Sequence, residues 1–383
     1  MTARTSTVAC LYPVVFVYST VLFATYTPRT ILTINLLRKR ICGQTEAFDD
    51  DAADCDEDRV SAEAAILSTW IGLASAIPAI FMSGLMGSLA NSYGRLYPPR
   101  IVLLGAILQF LLVAAVAQYE FKVEWLILGS LFEGLTGSYT AFLMGTSSYI
   151  ADCNALDSAT LSDTDRVERF SFVEAGLSLG ILVGPFCGGV FVTYYSFSLF
   201  FVIAALLLGL LFIYVSTCIP ESLPPSMSDA QPCSIDLSST WSVLKLAFQT
   251  RPYREIEQAP LANNDLGRAD ADFDYKTLPE DFVPAIRLSF ISLAFMMSFG
   301  SNNAMSQIFV LYTARAWNWS SAAIGAYVSA LGGTGFLGLL VLRRVYKWVS
   351  GRDSSDWSLM LAGAAGKFTL NFIPLNKCPR PFH

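Results

Sequence analysis

Eight apolar runs, at residues 9–26, 64–90, 101–117, 125–150, 170–194, 197–219, 286–312 and 321–341, constrain this chain more than any other feature. Each is near the ~20 residues that a helix needs to cross about 30 Å of hydrocarbon. They are numbered here as spans 1–8. Composition points the same way: 54% of the 383 residues are hydrophobic and 15% are charged, against about 45–50% and 25% in ordinary soluble domains. A single soluble core stops growing near 250–300 residues, roughly, so the apolar excess has to face lipid. The expected fold is all-α, a polytopic transmembrane helical bundle, placed in a plasma or vacuolar membrane with the lipid bilayer as its surroundings.

Several chemistries are excluded at once. The one histidine is the final residue, His383, so Ser-His-Asp triads, His-ligated zinc and histidine proton switches are absent. No GxxxxGK[ST] run provides a phosphate-binding loop. A net charge of −6 and the lack of a basic patch argue against nucleic acid. The 8 cysteines include no CxxC pair, so neither a metal site nor a disulfide scaffold is indicated. No cofactor and no enzymatic constellation is expected.

The spacing of the runs divides the chain into a six-helix bundle over 1–219, a polar cytoplasmic linker over 220–284 and a second hydrophobic block over 285–383. Two bundles joined by a hydrophilic linker is the outline of a transporter built from three-helix repeats. In the linker, Trp241, Leu244 and Phe248 fit one amphipathic helix, lying on the membrane or packed in a tethering loop. A ninth run begins at Trp357 but is interrupted by Lys367, Asn371 and Pro374. A twelve-helix bundle needs further spans of about 20 residues each, so the chain reads as C-terminally incomplete, with about eight spans and a partial ninth. Lys and Arg counts in the loops favour a cytoplasmic N-terminus, ten against seven. Five of those seven, Arg29, Arg38, Lys39, Arg40 and Arg59, are assigned to the loop after span 1. That loop also holds an acidic run at 48–58, read as solvated surface with a cation-attracting vestibule as the alternative, and Cys42 and Cys55, which an intraloop disulfide could join. Asn318 heads a sequon too close to the flanking helices for easy glycosylation.

Three groups of residues carry chemistry. Between spans 2 and 3 the chain reads Gly87-Ser-Leu-Ala-Asn91-Ser-Tyr-Gly94-Arg95, with glycines that permit a tight turn. It resembles the G-x-L-x-D-x-x-G-R signature of the major facilitator superfamily, whose Arg holds the inner gate; Asn91 replaces the family's Asp, keeping a polar contact without its charge. Span 5 carries Gly176, Gly180, Gly184, Pro185, Gly188 and Gly189, a small-residue stripe for close packing followed by a bend. The string resembles the glycine-proline motif of drug:proton antiporters, and Pro220-Glu221-Ser222 after span 6 is another superfamily habit. Finally, Gly134-Leu-Thr-Gly137-Ser-Tyr139, Tyr149-Ile-Ala-Asp152 and 169–176 resemble the proton-coupled folate transporter family and its fungal relatives. That resemblance implies that Asp152 ends span 4 and that Glu174 takes part in proton coupling.

Apart from any resemblance, a carboxylate in mid-membrane costs about 2.5–3.5 kcal/mol on insertion scales and normally faces the bundle interior. Glu174 and Glu133 are the two such acids. Burial would raise their pKa toward the range a proton carrier needs; a structural hydrogen bond is the alternative role for each. Asp152 is expected to pair with Arg166 or Arg169. In span 7, Ser301, Asn302, Asn303 and Gln307 form an uncharged polar face, either lining the substrate cavity or bonding between helices. The leading expectation is a secondary transporter that moves a small organic solute with protons, as symport or efflux. The alternative is a non-transporting membrane protein derived from one.

Overall fold

The computed structural model describes residues 8–43, 56–157, 163–222, 310, 312–313, 317 and 319–333, all within one compact unit. Lipid offers no hydrogen-bond partners, so a spanning backbone satisfies itself within helices; the described residues contain helices and no strand. Span 1 is formed by α1 (Leu11–Ala24) and α2 (Tyr26–Cys42), span 2 by α3 (Glu57–Tyr93) and span 3 by α4 (Tyr97–Tyr119). Span 4 comprises α5 (Trp125–Leu135) and α6 (Ser138–Leu156), span 5 is α7 (Asp163–Tyr194) and span 6 is α8 (Phe197–Thr217). These give 6 spans long and apolar enough to cross a membrane, and α9 (Ser321–Gly333) is the described part of span 8.

The helix ends follow from local chemistry. Asp56 caps α3 by accepting the Arg59 N–H at 3.1 Å, and Ser196 caps α8 by accepting the Leu199 N–H at 3.3 Å. Gly43 closes α2 in the left-handed conformation. Pro98 and Pro99 open α4, where no N–H partner is needed.

Two spans depart from the sequence expectation. Span 1 does not stop at residue 26 but runs from Leu11 to Cys42. Thr27, Leu32, Thr33 and Leu37 bury one face of α2, and the basic residues occupy its remaining surface. Arg29, Arg38, Lys39 and Arg40 are therefore helical and not loop residues. Span 4 is not one helix: it breaks at Thr136–Gly137, where Gly137 has φ +88° and Ser138 φ +54°. The Thr136 side chain donates to the Glu133 carbonyl at 2.9 Å, and the Gly137 N–H bonds to Gly134, closing a tight turn inside the bundle.

Span 1 lies at the centre of the core. Val14, Val15, Tyr18 and Ser19 are fully buried, and Tyr18 stacks on Phe142 of α6 with ring centroids 3.9 Å apart. Elsewhere small residues let backbones approach: a Cβ on Gly134 would lie 2.4 Å from the Ser75 carbonyl oxygen of α3. Large apolar residues point outward from α3 and α8, among them Trp70, Phe81, Leu206 and Leu210, as a lipid-facing surface requires. At one end, Lys39 pairs with Glu120, and Arg40 with Glu124 at 2.7 Å.

The remaining expectations lie outside the described residues: span 7 apart from Val310, Tyr312 and Thr313, the linker from residue 223 onward, the ninth run, Asn318, and residues 48–55. Cys42 is disulfide-bonded, while Cys55 lies outside them.

Candidate functional site

The turn between α3 and α4 gathers three segments around Arg95. Its Nε donates to Asp152 Oδ2 at 2.7 Å and its Nη1 to Asn91 Oδ1 at 2.5 Å. The backbone N–H groups of Arg95 and Leu96 donate to the two oxygens of Glu221, at 2.6 and 3.3 Å. Glu221 thus sits at the start of α4, where the helix dipole favours an anion. Ser222 Oγ reaches Asp152 Oδ2 at 3.4 Å, and the Tyr149 hydroxyl donates to the Pro220 carbonyl at 2.9 Å. Residues 220–222, after α8, are consequently docked on the bundle.

Gly94 makes this geometry possible. It has φ +110°, and a Cβ there would lie 2.5 Å from the Glu221 carboxyl carbon. Gly87 meets only Met144 Sδ, at 3.7 Å. Asp152 takes Arg95, not Arg166 or Arg169; Arg169 instead bonds Asn154 at 3.1 Å and Asp157 at 3.2 Å. The Arg95–Asp152 pair is part-buried, with side-chain exposures of 21% and 28%, so it is less screened than a surface pair. The role of Glu221 was missed from sequence, although the parity of the spans puts it on the same side as the Arg95 turn.

Within the bundle, Glu133 stands beside the break in span 4. Gln109 Nε2, on α4, donates to its Oε2 at 2.8 Å, and Ser138 Oγ donates to its Oε1 at 3.3 Å. Gln109 is 2% exposed. Neither partner is visible in a linear pattern, because the break brings Ser138 back toward Glu133. Glu174 is placed differently: it is exposed on α7, with no hydrogen bond or ion pair among the described residues.

The glycines of α7 serve two faces and not one. Gly176, Gly180, Gly184 and Gly188 abut span 1; a Cβ on Gly184 or Gly188 would fall 2.6 or 2.0 Å from the carbonyl oxygens of Thr20 and Ala24. Gly189, about 100° further round the helix, meets α9, where a Cβ would lie 2.3 Å from the Ser321 carbonyl oxygen. Next to Pro185, the Phe186 N–H donates to Ser329 Oγ of α9 at 2.8 Å. Ser301, Asn302, Asn303 and Gln307 lie outside the described residues. Among the described residues no group of three or more His, Cys, Asp and Glu is placed to hold a metal.

Comparison with known proteins places the arrangement. The chain is 23% identical over 261 residues to the MFS-type transporter avaJ of Aspergillus versicolor, covering 65% of this chain and 46% of that protein. It is 33% identical over 104 residues to the class B tetracycline resistance protein of Escherichia coli, covering 27% of this chain and 22% of that one. The matched chain spans less than half the length of either relative. Among solved structures, the human organic anion transporter MFSD10 (TETRAN) aligns with TM-score 0.56 and 14% identity, covering 96% of this chain and 84% of that one. At that identity the likeness is one of fold. The family model described as Major Facilitator Superfamily matches residues 60–375. Together with the six apolar spans, that match makes this an integral, multi-pass membrane protein that belongs to the Major Facilitator Superfamily.

Proposed function

We propose that the chain is a secondary active transporter, not an enzyme, moving a small organic solute by alternating access with the proton as coupling ion. The observation that carries this reading is Glu133 beside the break in span 4, hydrogen-bonded to Gln109 and Ser138. Interrupted membrane helices commonly form transport sites, and an acid at that depth is costly unless it has a function. Both donors serve the ionised carboxylate. On protonation the Ser138 hydroxyl can turn from donor to acceptor, whereas the Gln109 amide nitrogen cannot. Proton uptake at Glu133 would therefore rearrange its contacts with Gln109 and with Ser138 at the break. Glu174, named through the folate-transporter resemblance, supplies a second protonatable group on span 5.

In this reading the Arg95 cluster is the inner latch. Asn91, Asp152 and Glu221 hold the start of α4 while the second half of the transporter moves, and the span-5 glycines provide a close-packed hinge. Ser301, Asn302, Asn303 and Gln307 are proposed to contact solute. The relatives' names offer a range, from the tetracycline resistance protein to the organic anion transporter, without choosing a substrate.

The test uses the full chain in proteoliposomes containing a pH-sensitive dye, with solutes added outside. A solute-dependent proton flux is expected, lost in Glu133→Gln and reduced in Glu174→Gln, with both variants eluting as the wild type does in detergent. Unchanged pH dependence in either variant removes that residue from the mechanism, and absence of flux with every solute counts against transport by this chain.

A further inference from the structure

Arg29 is a charged residue inside span 1 that the reading above leaves unused. It lies on α2 ten residues before Lys39, or about 15 Å along the helix. Lys39 marks the outer end through its pair with Glu120, so Arg29 sits well within the membrane. It is half-buried and has no hydrogen bond or ion pair among the described residues; its recorded contact is with the Tyr26 ring, 5.9 Å from the guanidinium carbon. An intramembrane arginine normally has a partner, because losing its water without one is costly.

The acids toward the end of α2 are committed elsewhere. Glu63 pairs with Arg59, Glu120 with Lys39 and Glu124 with Arg40. Glu133, within electrostatic range of Tyr26, accepts from Gln109 and Ser138. Arg29 instead borders a cavity of about 20 Å³ lined by Tyr26, Thr30, Thr33, Ser68 and Ile71. That space holds one water-sized group, or one carboxylate oxygen. The Thr30 and Thr33 hydroxyls donate to carbonyls of their own helix, at 3.1 and 2.9 Å. The Ser68 hydroxyl, across on α3, has no hydrogen bond among the described residues. The cavity therefore offers donors from Arg29 and Ser68, beside the Tyr26 ring and Ile71.

We infer that Arg29 anchors the carboxylate of an organic anion, one carboxylate oxygen entering this space beside Ser68 and the remainder of the solute lying outside it. This rests on the transporter reading and adds the substrate's charge class to it. A guanidinium presents a planar fork matched to a carboxylate, which an ammonium does not. The neutral amide of the same acid keeps the shape and loses the charge, so it should not bind.

The test is the thermal stability of the purified full chain in detergent, titrated with benzoate and butyrate and, separately, with benzamide and butyramide. The two carboxylates are expected to raise the melting temperature and the amides to leave it unchanged. Arg29→Gln should weaken apparent carboxylate affinity about 30-fold or more, and Arg29→Lys should fall between the two. Elution of each variant as the wild-type species checks folding, and Arg29→Lys serves if Arg29→Gln fails it. Equal stabilisation by the amides, no response to either carboxylate, or wild-type affinity in the folded variant would overturn the inference. Proton flux in the same preparations separates the two claims. Binding through Arg29 without flux would leave this site standing and the carrier reading fallen; flux with wild-type affinity in Arg29→Gln would do the reverse.

Discussion

At the scale of single residues, the Arg95 turn is a case in which one backbone angle decides a polar network. Gly94 has φ +110° and leaves room for the Glu221 carboxylate, which a Cβ would meet at 2.5 Å. Gly94→Ala therefore pays conformational strain and also displaces Glu221 from the N–H groups of Arg95 and Leu96. The expected destabilisation is about 1–3 kcal/mol. Once Glu221 has been displaced, its removal should cost little more. In a double-mutant cycle of Gly94→Ala and Glu221→Ala, followed by thermal unfolding in detergent, the two losses should fall well short of additive. Full additivity would mean that the glycine and the carboxylate act independently. Asp152→Asn addresses the same cluster from α6. It removes the charge but keeps the shape, and for a part-buried pair the loss should be about 1 kcal/mol after allowing for screening. The signature supplied two sides of this cluster through Asn91 and Arg95. It could not supply Glu221, which arrives from more than 120 residues away by folding alone.

At the scale of elements, the four-residue glycine period in span 5 predicts a close-packed face from sequence, but periodicity cannot name what packs there. The structure answers with span 1 for Gly176, Gly180, Gly184 and Gly188, and with α9 for Gly189. The neighbours at Gly184 and Gly188 are backbone atoms, which cannot turn aside as a side chain can. Gly188→Ala and Gly184→Leu should each force α1 and α7 apart, with a loss of about 1–3 kcal/mol or more and poor yield of folded protein. Gly209 of α8 is the control, since a Cβ there meets nothing within 4 Å. Gly209→Ala should be neutral or stabilise by up to about 1 kcal/mol through helix propensity. If all three substitutions are tolerated alike, close approach is not what the stripe provides. The break in span 4 shows the opposite limit of sequence reading. The apolar run passes through Gly134-Leu-Thr-Gly137 without interruption, because hydropathy reports the solvent and says nothing of φ.

At the scale of the whole molecule, solvent explains what was readable in advance. Six apolar runs became six spans because lipid permits little else, whereas the end of span 1 was misplaced because Arg29, Lys39 and their neighbours break the apolar pattern on a helix that nevertheless continues. Ion pairs among the described residues stand at the two ends of the bundle, in the Arg95 cluster at one and in Lys39–Glu120 and Arg40–Glu124 at the other. These last two pairs tie α2 to the loop between spans 3 and 4, and one of them has a defined pH dependence. Glu124 is held below the ordinary carboxylate range, first by a backbone N–H and then by Arg40. A group whose pKa is lower in the folded state stabilises that state above its unfolded value, near 4.3 or so. That contribution should fade as pH falls through the folded value. Both side chains are more than half exposed, at 60% and 52%, so salt should screen the effect. Thermal melts of the wild type and Arg40→Ala, taken from neutral pH down through the carboxylate range, should converge as the acid is titrated. At about 1 M salt, where the Debye length is roughly 3 Å, they should differ little at any pH. A constant gap between the two curves across pH would show that Arg40 contributes through the packing of its side chain and not through its charge.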